Sequence, residues 1–443
     1  MNRTIFMELL AKKDFRAIRS ILGVMNVVDI ASLLSELEDK ELVQAFRLIT
    51  KDKAADVFAY MNNSMQTKLV EMFAEKELKE LLDELYLDDT VDMLEELPAN
   101  LVTRILDVVD GEKRSRINQL LNYPDDSAGS IMTTEYVDFN KKMTVAEAMS
   151  HIKKVGIHKE TIYTCYVLEA RKLIGIVTAK DLMTADDDKK IQELMETEII
   201  SVHTHDDQEE VARLFSKYDL LAIPVLDNDG LMVGIVTVDD AMDVVVDEAT
   251  EDITIMAAMN PSEKTYFETS VFSHAKNRFL WLLVLMLSAT VTGTIITHYE
   301  DAFAAIPILV SFIPMLMDTG GNCGSQSSTL IIRGLALEEI KFRDLFKVIF
   351  KEFRIALLVS VGLALANGIR VYIMYRNLQL ACVIGASLIA TVIIAKMIGC
   401  TLPLFAKKIH LDPAIMAAPL ITTLVDTCSI VIYFTIATRV FAL

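Results

Sequence analysis

"MDTGGNCGSQSSTLIIRG" occupies positions 317–334, directly behind the apolar run "AIPILVSFIPML" at 305–316. An apolar segment that turns polar and glycine-rich, instead of ending at a charged loop, decides how the C-terminal third is read. Polar backbone at membrane depth is tolerated only in a protein interior or along a watery path. Gly320, Gly321 and Gly324 permit close helix approach or a break. Glycines alone would mean small-residue helix packing. Asn322, Ser325, Gln326, Ser327 and Ser328 put five polar side chains into seven residues. That density argues for a solvated path, with Asn322 and Gln326 among the groups lining it.

Around this stretch five spans are legible, each holding the roughly 20 apolar residues a bilayer needs: 279–298, 302–332, 353–375, 380–405 and 413–441. The second and fifth exceed that length and are expected to tilt, bend or break. The loop "HYED" between the first two spans has no Lys or Arg, whereas Arg333, Lys341, Arg343, Lys347, Lys351 and Arg354 lie between the second and third. Positive residues mark the cytoplasmic side, so the N-terminus is expected inside and the C-terminus outside the plasma membrane. Arg370 and Arg376 fall on the outer side against that rule, and Lys396 sits deep in the fourth span.

The fifth span reads "PAIMAAPLITTLVDTCSIVIYF". Asp426 stands among apolar residues 14 positions beyond Asp412, or roughly 21 Å on a continuous helix. An intramembrane carboxylate is costly and marks an ion or proton path by default. Thr422 lies one turn before it, and Pro419 is placed to bend the helix and free carbonyls. Oxygen ligands without sulfur or imidazole suit a hard cation such as Mg²⁺ or Ca²⁺. One carboxylate per chain cannot close a cage, but a symmetric dimer would bring two to a shared axis.

The remainder is chemically different. The first 275 residues carry 29 basic and 53 acidic residues, against 14 and 9 in the rest. A body with net charge −24 repels nucleic acid and anionic lipid and attracts cations. Cys165, Cys323, Cys382, Cys400 and Cys428 show no paired spacing, so neither a zinc site nor a disulfide framework follows. The opening twenty residues are charged throughout and do not read as a secretory signal.

Within the acidic part, two columns of apolar residues recur every twelve positions, from Leu34 to Leu106 and from Leu37 to Val109. Twelve residues hold a short helix and a corner, so stacked helices in a small superhelix are expected over 1–123. Further on, "IGIVTAKDLM" (174–183) and "VGIVTVDDAM" (233–242) repeat at an offset of 59. Each reads as a buried strand, a Thr cap and a helix, and the pair resembles tandem CBS domains over 124–252. Such modules bind adenine nucleotides, with Asp181 and Asp239 as candidate ribose contacts. The segment 253–276 is read as a connecting helix capped at Asn260 in "NPSE", with Phe267, Val271 and Ala275 on one face.

Taken together the order of parts resembles the MgtE family of magnesium channels. The motifs "YPDDSAG…MTTE", "GGNCGSQSSTLIIRGLA" and "LDPAIMAAPLITTLVD…IYF" carry the likeness, which covers essentially the whole chain. The resemblance implies an α-helical superhelix, an α/β CBS pair, a connecting "plug" helix and a five-span all-α pore domain at 277–443. It implies a homodimer with Asp426 setting selectivity for hydrated Mg²⁺. It assigns Mg²⁺ sensing to Asp88, Asp92, Asp207, Glu209, Asp219, Asp240, Asp243, Glu248, Glu251 and Asp252, and allows ATP at the CBS pair. High cytosolic Mg²⁺ would bridge the acidic faces and close the channel. A proton- or sodium-coupled cation transporter is the nearest alternative. An enzyme is not expected, because no nucleophile–base pair, phosphate loop or ligand cluster is present in the sequence.

Overall fold

A helix begins every twelve residues. Val27–Leu34 (α3), Asp39–Phe46 (α4), Lys51–Ala59 (α5), Asn63–Met72 (α6), Glu75–Leu82 (α7), Leu87–Glu96 (α8), Ala99–Val108 (α9) and Gly111–Leu120 (α10) follow Arg3–Ala11 (α1) and Phe15–Val24 (α2) at the same spacing. The computed structural model describes residues 3–262, 266–267 and 269–442. Stacking is between alternate helices: α3, α5, α7 and α9 form one wall, and α4, α6, α8 and α10 the other. The two apolar columns make the core, with Leu34, Phe58, Val70 and Leu82 fully buried. A second device closes the turns. Basic side chains reach back three helices to the carbonyls that each helix end leaves unpaired. Lys53 binds the Gly23 and Met25 oxygens, Arg104 those of Val70 and Phe73, and Lys113 those of Leu82 and Leu85.

Two small sheets follow. In the first, Asp138–Phe139 (β1) runs parallel to Thr164–Glu169 (β2), which pairs antiparallel with Lys172–Thr178 (β3); Val145–Val155 (α11), Ala179–Thr184 (α12) and Ile191–Leu194 (α13) complete it. The second repeats this order with Val202–His203 (β4), Gln208–Tyr218 (α14), Ala222–Leu226 (β5), Met232–Thr237 (β6) and Val238–Met256 (α15). Both carry a register shift at the same place in the central strand, at Val167/Leu168 and Val225/Leu226. Thr178 caps α12 by a capping box with Asp181, as the sequence repeat predicts.

The chain divides into two units, Met1–Val246 and Asp247–Leu443. The second holds Val271–His298 (α16), Glu300–Ala305 (α17), Ile313–Ala336 (α18), Leu345–Tyr375 (α19), Leu378–Lys408 (α20) and Ala418–Phe441 (α21). Among the described residues, α16, α20 and the stretch Pro413–Phe441 are long and apolar enough to cross a bilayer. The helices α18 and α19, of 24 and 31 residues, have the length to do so. The expected breaks are present: a 3₁₀ turn at Pro307–Phe312 precedes α18, and another at Pro413–Met416 precedes α21. Asp426 is therefore about 12 Å into its own helix, rather than 21 Å along an unbroken one.

The connecting helix differs from expectation. Of the stretch 253–276, residues 253–256 are the last turn of α15, Asn260–Ser262 are not helical, and 263–265 and 268 lie outside the described residues. Asn260 does not cap, because its groups are taken elsewhere. Its N–H donates to the Asn277 carbonyl at 3.1 Å, and its side-chain oxygen accepts the Trp281 indole N–H at 3.1 Å. α16 begins at Val271, where Ser270 accepts from the Ser273 N–H. Val271 and Ala275 therefore belong to α16, and Phe267 precedes it.

Candidate metal sites

The first unit gathers carboxylates where α8 meets the start of α15. Asp88 is 7 % exposed. Burial, then the charges of Asp89 and Glu135, push it up to about 7. Asp89 is raised to about 7 by burial and then by Asp240, Asp239 and Asp56. Asp240 reaches about 7 through burial and Asp88. Asp92 keeps contact with solvent, yet desolvation in the crowded cleft and the charges of Asp88 and Asp240 carry it to about 8. Glu160 is pushed to about 9 by burial and the same acids. The Tyr60 hydroxyl, raised by burial first, also feels Asp239, Asp89, Asp243 and Asp56. Glu135 Oε2 and Glu160 Oε2 are buried without a hydrogen-bond partner.

Such a cleft is a seat for positive charge. No three His, Cys, Asp or Glu side chains among the described residues form a site that could hold a metal ion directly. An ion that keeps its water shell, as Mg²⁺ prefers, fits the donor set better than a bare one. Glu135, Glu160, Asp89 and Asp56 are members that motif reading missed, because their positions are scattered along the chain and meet only through the fold.

The other expected sensing acids have separate surroundings. Asp207 caps α14 by accepting from the Glu209 N–H at 2.9 Å, and Glu209 pairs with Arg213. Asp219 ends α14 in the left-handed conformation with φ 53°. Glu248, Glu251 and Asp252 lie on the second half of α15. Asp240, Asp243, Asp247 and Glu251 recur there at three- and four-residue steps and share a face. Of the two ribose candidates, Asp181 is bonded to Thr178. Its counterpart in the second module is Asp240, bonded to Thr237, and not Asp239.

In the second unit, α18 runs unbroken through the glycine-rich stretch. Its two faces do different things. Gly320, Gly321 and Gly324 are buried against α20 and α21. A Cβ on Gly320 would meet Thr391 and Val425, and one on Gly399 of α20 would fall 2.2 Å from the Gly324 carbonyl oxygen. The opposite face carries Asp318, Asn322 and Gln326 at four-residue steps, all exposed in the single chain. This polar stripe is roughly 12 Å long. Small-residue packing and a polar path are thus both present, on opposite sides of one helix.

Asp426 on α21 is half-buried, and Asp318 is the neighbouring charge that acts on it. Asp426 is therefore not a lone acid: each chain offers two carboxylates. The sequence signal for Asp318 is the four-residue spacing to Asn322 and Gln326. Pro419 sits in the first turn of α21, where its missing N–H costs nothing. Its carbonyl accepts the hydroxyls of Thr422 and Thr423 at 2.9 Å each. With its proton used, the Thr422 oxygen offers lone pairs alone, which suits the waters of a hydrated cation. Lys396 of α20 finds Glu352 of α19, Nζ to Oε2 3.6 Å, and Ser327 of α18 at 3.0 Å.

Comparison with known proteins covers both units. The family model for the MgtE divalent cation transporter matches residues 313–436, that for the MgtE intracellular N domain 25–126, and that for the CBS domain 128–188 and 191–247. The magnesium transporter MgtE of Thermus thermophilus is 36 % identical over 435 residues, spanning 97 % of this chain and 96 % of that one. The chain belongs to the MgtE family. The MgtE magnesium transporter of Bacillus subtilis is 35 % identical over 431 residues, 97 % of this chain and 95 % of its own length. A crystal structure of the cytosolic domain of the Mg²⁺ channel MgtE in complex with ATP covers 55 % of this chain and all of that one, with TM-score 0.53 and 35 % identity. The acidic cleft thus falls in the N-domain and CBS regions of an MgtE chain, and the stripe with Asp426 in its divalent-cation-transporter region. Magnesium transport and membrane residence follow from the family.

Proposed function

We propose that this MgtE chain forms a homodimeric Mg²⁺ channel of the plasma membrane, open when cytosolic Mg²⁺ is low and closed when it is high. The observation that carries the regulation is the acidic cleft. Its carboxylates stay close only if they are protonated or bridged by positive charge. Near neutral pH Mg²⁺ competes with those protons for the carboxylates, so closure follows ion binding to the compact state. We count Asp207, Glu209 and Asp219 among the sensing acids of the first unit, and Glu248, Glu251 and Asp252 among those at the start of the second.

The ion path rests on the stripe of Asp318, Asn322 and Gln326 with Asp426 and Thr422. A polar face of a spanning helix is unsuited to lipid. In a two-fold dimer it can face its copy across water, with paired Asp426 residues contacting a hydrated ion. All five helices then span, with the N-terminus inside and the C-terminus outside. The first turns of α16 take the place of the connecting helix as gate. An adenine nucleotide at the CBS pair is supported by the ATP complex of the relative's cytosolic domain.

Single-channel recording tests this. Inside-out patches with Mg²⁺ as charge carrier should show discrete openings that vanish as cytosolic-side Mg²⁺ rises into the millimolar range, and that change in Asp426→Ala. Proton- or sodium-coupled uptake without openings would replace the channel with a coupled transporter. Openings indifferent to cytosolic Mg²⁺ would keep the path and discard the sensor.

A further inference from the structure

Lys396 is 5 % exposed and Glu352 is 6 % exposed, both within the helical second unit. The Lys396 ammonium donates to Ser327 Oγ at 3.0 Å and stands 3.6 Å from Glu352 Oε2. The Ser327 hydroxyl donates to that same carboxylate oxygen at 2.7 Å. Ser327 thus accepts from one charge and donates to the other, which fixes the orientation of the network. Three helices, α18, α19 and α20, meet at this point.

Cohesion alone does not account for these groups. Well-packed apolar residues hold helices together as well as a buried ion pair, without its desolvation penalty. Ionisable residues inside a membrane segment are functional by default. A carboxylate oxygen and a hydroxyl oxygen, both on buried residues and both reached by one ammonium, are the donor set of a hard cation. The Lys396 ammonium is a compact point charge on a flexible stem. It brings to that position the charge of a monovalent ion, held by a covalent tether. Ser327 lies on the buried face of α18 with the glycines, away from the polar stripe, so the seat is closed off from that stripe by the helix itself.

We propose that Glu352 and Ser327 form a seat for a monovalent cation and that the Lys396 ammonium is its permanent occupant. With the seat filled by the chain itself, no exchangeable coupling ion enters it, and Mg²⁺ movement proceeds without one at this position. This rests on the transport reading above and adds what that reading leaves open, the absence of coupling.

The test uses the full chain in proteoliposomes and in detergent, as wild type, Lys396→Ala and the double variant Lys396→Ala/Glu352→Gln. Each is measured in choline, sodium, potassium and ammonium chloride for Mg²⁺ uptake and for Tm. The seat predicts that Lys396→Ala alone responds. Its uptake should rise several-fold, and its Tm should increase saturably, when ammonium or sodium replaces choline. Wild type and the double variant should be indifferent, the first because the seat is filled, the second because its carboxylate is gone. Folded Lys396→Ala recovered only from ammonium or sodium buffers would support the seat equally. Lys396→Ala insensitive to every cation in both readouts, whatever its uptake, would overturn the proposal. So would failure to recover it from any buffer while the double variant folds, since Lys396 would then be a structural counter-charge. A wild type carrying no Mg²⁺ would sink the transport reading while leaving the Tm comparison valid.

Discussion

Asp88 offers the sharpest numerical test. Its carboxyl is raised from 3.8 to about 7 in the compact unit, chiefly by burial. At 7 % exposure little solvent screening remains. A raised acid means that the folded state holds a proton which the unfolded state releases. Its contribution is intact below about pH 4 and is lost as pH rises through about 7. Each pH unit of difference corresponds to about 1.4 kcal/mol. Asp88 alone should then weaken the ion-free unit by about 3 kcal/mol between pH 5 and pH 8. Asp88→Asn should recover up to about 4 kcal/mol at pH 8, because it removes one charge and relieves Asp89 and Asp92. The assay is urea unfolding of residues 1–246, followed by circular dichroism in EDTA. Adding Mg²⁺ at pH 8 should restore wild type more than Asp88→Asn, which has lost a carboxylate. A stability flat from pH 5 to 8 in EDTA, or an Asp88→Asn variant less stable than wild type at pH 8, would refute the crowded-carboxylate account.

Other perturbations reach the second unit. Asp426→Asn should abolish Mg²⁺ uptake in a magnesium-auxotrophic host while leaving the elution volume on size exclusion unchanged. Asp318→Asn should raise the apparent KM for Mg²⁺ several-fold with a smaller effect on maximal flux, since it weakens attraction without removing the deeper acid; an unchanged KM would remove Asp318 from the path. Gly399→Ala forces a methyl to within 2.2 Å of the Gly324 carbonyl oxygen. Overpacking of this kind costs about 1–3 kcal/mol or more, and should appear as a lowered Tm in detergent.

Much of the architecture was legible because its signals are local and periodic. The twelve-residue columns set the helix starts, and the 59-residue repeat located both strand–Thr–helix units. Asp426 was legible through contrast with its apolar neighbours. What escaped was long-range. Glu352 lies 44 residues before Lys396 and reads locally as the end of a basic loop, so the pair emerges only when α19 and α20 pack. Glu160 and Glu135 joined the acidic cleft from ordinary loop positions. Asn260 failed in the other direction: a good local capping pattern lost its amide and its carboxamide to Asn277 and Trp281. Asp318 was hidden at the border between apolar and polar composition, where a single acid draws no contrast.

The alternating walls of the helical stack turn chain length into a matter of parity. The acids of α8 stand on the even wall, two helices before the stack ends. Removing one twelve-residue unit after α8 would transfer them to the opposite wall and separate Asp88 from Asp240, although every remaining helix kept a neighbour of its own shape. Removing two units would return them to the correct side but closer to the sheets. Removing units before α5, which carries Asp56, would shorten the far end and leave the cleft untouched. Repeat number between α5 and the first sheet is thus under a constraint that the rest of the stack does not share, and natural length variation should accumulate upstream of Lys51.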